Sequence, residues 1–110
     1  MQGFLSLDLY LKKVHIWRMK WTVKYSGRAA RQAAKLPRKL LEILDALTAE
    51  IELSGPVRGN WPNYGKLGDR LHHCHIKKGK PTYVAVWEED GGAIRLVEVK
   101  YVGTHENAPY

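Results

Sequence analysis

Residues 70–102 read RLHHCHIKKGKPTYVAVWEEDGGAIRLVEVKYV, and this stretch decides the fold. Three short runs, the first carrying three histidines and the other two rich in β-branched and aromatic residues, are separated by Gly79-Lys80-Pro81 and by Asp90-Gly91-Gly92. Runs punctuated in this way read as consecutive strands, and an aspartate followed by glycine is a strong hairpin signal. Strands are expected over about 70–78, 82–88 and 93–102, as an antiparallel meander. Side chains alternate across a strand. Leu71, His73, His75 and Lys77 therefore share one face of the first run, and His72, Cys74 and Ile76 share the other.

Upstream, Trp21, Val23 and Tyr25 alternate with Lys20, Thr22 and Lys24, the pattern of a half-buried strand. Ser26 is a good N-cap for an alanine-rich helix over 28–36. Pro37 suits the first turn of a second helix. Its apolar residues Leu36, Leu40, Ile43, Leu44, Leu47 and Ile51 recur every three or four positions as one stripe. Ser54-Gly55-Pro56 ends it. Residues 56–69 read as a loop. The order is strand, helix, helix, strand, strand, strand. The fold class is thus α+β, with an N-terminal strand and a two-helix hairpin packed on a mainly antiparallel four-stranded sheet. This domain is expected over 19–110. In residues 1–18, Leu5, Leu7, Leu9 and Leu11 alternate as on an edge strand, while Met19 looks like a second start, so both an added strand and an upstream start stay open.

A chain of 110 residues holds one modest core. Lys and Arg number 18 against 11 Asp and Glu, a formal net charge of +7, which points to a polyanion or an acidic protein partner. The single cysteine, Cys74, excludes an internal disulfide and fits a reducing cytoplasm. No apolar run approaches the roughly 18 residues of a membrane span. The N-terminus does not read as a signal peptide, because Asp8 interrupts its apolar part and its lysines follow rather than precede.

The last nine residues carry one imidazole, His105, and one phenol, Tyr110, just past a rigid strand. Gly103 is expected to end that strand with a backbone angle other residues avoid. If the helices cover Cys74 and Ile76, the tail can bring His105 and Tyr110 to the face that carries His75 and Lys77. The plainer reading stands beside it, with a solvated histidine and a tyrosine packed on the sheet. His72, His73, Cys74 and His75 offer metal-ligating atoms. Strand neighbours point opposite ways, however, and no fourth ligand has finger or ribbon spacing, so no metal and no cofactor is expected. Arg28, Arg31 and Lys35 line one side of the first helix. Lys12, Lys13 and Arg18 precede them, and Lys66, Arg70, Lys77, Lys78 and Lys80 lie around the loop and meander. With Trp61 and Tyr64 among them, these cations suit single-stranded RNA, whose bases stack and whose phosphates pair. A solvated helix face, with Trp61 plugging the core edge, accounts for the same residues.

The order of elements, Leu36-Pro37 between the helices, Gly59-Asn60-Trp61 with Tyr64, His75 on the first meander strand and the ending Gly103-Thr104-His105-Glu106 resemble the RelE/ParE superfamily of bacterial toxins. The resemblance covers about Met19 to Tyr110, and within the superfamily it is to the YafQ-like and RelE-like mRNA interferases. It implies a toxin of a type II toxin–antitoxin system that cuts mRNA, commonly in the ribosomal A site, and that an extended antitoxin segment wraps. The family's tail histidine or arginine falls on His105, its terminal aromatic on Tyr110, and its strand pair on His75 and Lys77. Many relatives carry an arginine near Tyr83 and Val84, and some use an acidic residue where Lys77 to Lys80 stand here. Arg70, Lys78 or Lys80 are the candidates to hold phosphate instead.

RNA carries its own nucleophile, the 2′-hydroxyl. A nuclease without metal must align it with the phosphate, take its proton and protonate the leaving 5′-oxygen. His105 is the first candidate for proton transfer and His75 the second, because an imidazole near pKa 6.5 suits either role. Tyr110 orients the 2′-hydroxyl or stacks on a base, Lys77 stabilises charge on the phosphate, and His73 is a weaker candidate. Other readings are a ParE-like toxin that poisons DNA gyrase, which needs the fold without the histidines, and an RNA- or ribosome-binding module without activity.

Overall fold

The computed structural model describes residues 20–110. The expectations for residues 1–18, with Lys12, Lys13 and Arg18, lie outside the described residues. Strand β1 (Thr22–Tyr25) leads into helices α1 (Gly27–Ala34) and α2 (Arg38–Ser54). Strands β2 (Gly65–Lys66), β3 (Leu71–Lys77), β4 (Tyr83–Glu89) and β5 (Leu96–Thr104) follow, and a 3₁₀ turn over His105–Asn107 precedes the C-terminus. The sheet order is β1-β5-β4-β3-β2. β1 runs parallel to β5, and the other pairs are antiparallel. The four expected strands are thus joined by a fifth, β2, cut from the loop over 56–69. It is two residues long and pairs only with His72 and His73, too short to leave a periodic signal.

Local chemistry sets the helix ends. The Ser26 hydroxyl accepts the Ala29 amide at 3.0 Å, closing the start of α1. Pro37 stands one residue before α2, at the cap position rather than in the first turn, and makes no side-chain cap bond. Gly55 ends α2 at φ +96°, in the left-handed region where a side chain is costly, and its amide donates to the Ile51 carbonyl at 2.8 Å. The β4–β5 connection is wider than the Asp-Gly signal alone implies. It spans residues 90–95, with Asp90 Oδ1 accepting the amides of Gly92 and Ala93 at 2.7 and 2.9 Å.

One face of the sheet takes the helices. Leu44, Leu47 and Ile51 of α2 and Ala29 and Ala33 of α1 bury against Cys74, Ile76, Ala85, Trp87, Val97, Val99 and Val102. Full burial of each large aliphatic chain contributes roughly 1.5–3 kcal/mol before entropy is counted. Trp87, fully buried, still satisfies its indole by donating to the Pro56 carbonyl at 3.0 Å. β1 ends at Tyr25, and α1 takes over its pairing: Gln32 Oε1 accepts the Val102 amide at 2.9 Å. The other face carries no helix and is only partly covered, by the loop and the tail. There Val84, Val86 and Tyr101 form a small cluster with Leu67, Leu71 and Ala108.

β5 departs from simple alternation. Val86 pairs with Tyr101 while Trp87 pairs with Val99, so Lys100 is an extra residue, a bulge. The bulge leaves both Val99 and Val102 toward the helices and sends Tyr101 to the open face. Gly103 does not end the strand. β5 continues through it to Thr104, and Gly103 is not among the positive-φ glycines. Its role is room: a Cβ there would lie 2.6 Å from the Tyr101 hydroxyl and 2.9 Å from its Cζ.

Candidate functional site

The strand face expected to be open is open: His72, Cys74 and Ile76 are buried, and His73, His75 and Lys77 are half-buried. Two backbone bonds bring the tail onto that face. The His105 amide donates to the Thr82 carbonyl at 2.8 Å, and the Ala108 amide closes the 3₁₀ turn on the His105 carbonyl at 3.2 Å. The result is a continuous row of rings. His75 and His105 are 5.6 Å apart between centroids at 73°, His105 and Tyr110 5.8 Å at 85°, and Tyr110 and His73 4.9 Å at 89°. Edge-to-face packing of this kind favours ring quadrupoles. His73 Nδ1 donates to the Gly65 carbonyl at 3.1 Å, which makes use of β2.

A cleft of about 720 Å³ opens beside His75 and His105, bounded by Lys80, Pro81, Thr82, Thr104 and Glu106. Burial pushes His75 below the usual imidazole range, and the nearby positive charges of His105 and Lys78 push it further. Burial does the same to His73, aided by His75, His105 and His72. Both therefore favour the neutral ring with a free lone pair at pH 7. Burial raises the Tyr110 phenol, so it stays protonated and able to donate.

The cations divide among several places. Lys80 lines the cleft. The Lys77 ammonium turns into the β3–β4 turn, donating to the carbonyls of Pro81 at 3.0 Å and Lys78 at 3.3 Å, and Lys77 does not line the cleft. Arg70 lies at the far end of β3, with its guanidinium beside Gly91. Lys66 is exposed on β2. Arg28 places its guanidinium 5.2 Å over the Tyr101 ring. With Lys35 it borders a second hollow that shares Thr104 with the histidine cleft. Arg31 is exposed on the same helix. Trp61 sits with the helix-side core, its indole donating to Glu50 Oε1 at 2.9 Å, and Arg58 and Asn60 donate to the same oxygen at 3.1 and 3.0 Å.

Three features escape a reading of the residues alone. Glu106 brings a carboxylate to the cleft wall. Tyr101 donates its hydroxyl to the Thr104 carbonyl at 2.8 Å, fixing the residue before His105. On the helix side, His72 is fully buried between Tyr64 and Glu89, with Nδ1 2.7 Å from the phenol oxygen and Nε2 2.7 Å from the carboxylate. Its ring stacks on Trp87 at 5.8 Å and 5°. Among the described residues, no group of three or more His, Cys, Asp or Glu side chains is gathered as a metal site.

Two helices on one face, the β1–β5 parallel pair and the antiparallel run β5-β4-β3 define a small α+β protein of RelE-like fold. The YoeB dimer from Staphylococcus aureus superposes with a TM-score of 0.61 at 14% identity, covering 78% of this chain and 98% of that one. The archaeal RelE–RelB complex from Pyrococcus horikoshii superposes with a TM-score of 0.54 at 11% identity, covering 82% and 100%. No protein-family model and no curated protein matches the chain. At these identities the likeness establishes the fold, and the chemistry is argued from the chain's own side chains.

Proposed function

We propose that this protein is the toxin of a type II toxin–antitoxin pair, an endoribonuclease that cuts mRNA on the ribosome without a metal ion. The observation that carries the reading is the His75–His105 pair, 5.6 Å apart at the edge of an open cleft with a protonated phenol next in the row. Two imidazoles at that separation can flank one phosphodiester. His75, held neutral, accepts the proton of the 2′-hydroxyl. The 2′-oxygen bonds to phosphorus, the bond to the 5′-oxygen breaks, and His105 gives its proton to that oxygen. The products are a 2′,3′-cyclic phosphate and a 5′-hydroxyl. Tyr110 donates to the ribose or stacks on a base, and Lys80 supplies fixed charge for the phosphate oxygens. Arg28, Arg31 and Lys35 hold neighbouring phosphates.

The antitoxin is a second partner in this reading. The solved RelE–RelB pair is a complex, and a net charge of +7 suits an acidic segment laid along α1 and the open face. The cytoplasm, where mRNA and ribosomes are, is the proposed location. The test is cleavage of a short mRNA on programmed ribosomes, with EDTA-treated naked RNA and His105→Ala alongside. Discrete cuts by the wild type, lost in the variant, support the reading. No cuts in either setting move it to gyrase, where a supercoiling assay follows, or to RNA binding alone.

A further inference from the structure

Past Tyr110 the open face continues into another cleft, of about 450 Å³. Leu67 and Leu71 line it on the apolar side, Tyr110 borders it, and Glu88, Lys100 and Arg28 bring charge to it. Tyr110 thus links this cleft to the histidine row, its ring 5.8 Å from that of His105. On β3 the open-face row runs His75, His73, Leu71. Four residues of strand span about 13 Å, a reach of one or two nucleotides along an extended single strand.

We propose that this second cleft is a nucleobase subsite that selects guanine in the strand whose phosphate lies between His75 and His105. The inference rests on the ribonuclease reading above. A half-exposed phenol beside two leucines is a surface on which a base stacks, and stacking alone accepts any base. Selection comes from Glu88. Its carboxylate is loosely held: Lys100 stands 4.0 Å away and makes its own 2.9 Å bond to Glu98. Among the described residues no hydrogen bond reaches the Glu88 carboxylate, and its side chain is 44% exposed. An ionised carboxylate only accepts, through two oxygens side by side. Guanine alone of the four bases presents two adjacent donors, N1–H and the 2-amino group, on its Watson–Crick edge. Adenine and cytosine set a ring lone pair beside their single amino group, and uracil flanks its one N–H with carbonyl oxygens. Lys100 and Arg28 supply donors for guanine O6.

The test is binding, which reads the subsite without cleavage. Uncleavable 2′-O-methyl tetraribonucleotides, identical except for one guanine, adenine, cytosine or uracil, are titrated with the intact protein and followed by fluorescence anisotropy. The guanine oligonucleotide is expected to bind roughly tenfold more tightly, the scale of one good bidentate contact. Glu88→Gln, which puts a donor where an acceptor stood, is expected to erase that preference without moving the thermal midpoint. Tyr110→Leu is expected to weaken all four alike. Equal binding of the four by the wild type, or a guanine preference that survives in Glu88→Gln, overturns the subsite. A guanine preference without ribosomal cleavage sinks the ribonuclease reading and leaves the subsite standing. Cleavage without any base preference does the reverse.

Discussion

The phenol of Tyr101 passes directly over Gly103 to reach the Thr104 carbonyl at 2.8 Å, leaving no space for a Cβ beneath it. The strand end that presents His105 is therefore fixed by a side chain two residues back along the same strand. Gly103→Ala is expected to lose about 1–3 kcal/mol, the usual cost of forcing extra volume into a packed site. Chemical denaturation measures it. Adding Tyr101→Phe should recover part of the loss, because the closest clash, at 2.6 Å, is with the hydroxyl. No recovery would mean that the contact is not what excludes a side chain there.

Adjacent histidines on β3 should behave oppositely. His72 has no exposure and two 2.7 Å partners, whereas His73 is half-buried at the site. His72→Ala is expected to cost roughly 2–4 kcal/mol, combining a cavity with a stranded Glu89 and Tyr64. His73→Ala should cost well under half of that. Equal losses in urea unfolding would show that the Tyr64–His72–Glu89 chain contributes nothing particular.

His105→Ala and His75→Ala are each expected to slow cleavage by about 10²-fold or more, the scale of a lost general acid or base. Affinity for uncleavable RNA should change little. Full-rate cutting by either variant removes that histidine from the mechanism.

Stability should fall on mild acidification. His73 and His75 are both pushed below the ordinary imidazole pKa, so the unfolded chain binds their protons more readily. Stability is then full above about pH 6.5 and declines as pH falls through that value toward the lowered folded values. Thermal midpoints across pH 8 to 5 check this. His73→Gln with His75→Gln should flatten the decline, and an unchanged slope in the double variant would trace it to other groups.

RNA binding should be steeply salt-dependent, and α1 should carry part of the slope. Replacing Arg28, Arg31 and Lys35 together by glutamine is expected to reduce the slope of log K against log salt by about 2, at roughly 0.7 per phosphate on single strands. An unchanged slope would mean that α1 is only a solvated face.

The main elements were legible because they announce themselves locally. The Ser26 cap, the apolar stripe of α2 and the two turn signals need no tertiary knowledge, and the alternation through 71–77 told which histidines lie outward. The rest depends on distant parts of the chain. β2 exists only because β3 offers it an edge. Tyr101 faces outward only because of the bulge at Lys100, which a strict two-residue period assigns to the wrong side. A glycine after a strand signals a backbone angle that ends it, whereas Gly103 is needed for the space beneath a phenol. Trp61 read equally as a base platform or a core plug, and the difference rests on Glu50, eleven residues away on a helix.

The parallel pairing of β1 with β5 has a consequence for synthesis. Thr22 pairs with Leu96 and Tyr25 with Val99, so the first of the described strands waits for the last of them. During translation, β1 and both helices leave the ribosome while β5 and the His105 turn are still being added or lie in the exit tunnel. No nascent chain whose His105 turn is still inside the tunnel can assemble the histidine row. A partner that binds the emerging helices therefore meets the chain before the histidine row exists.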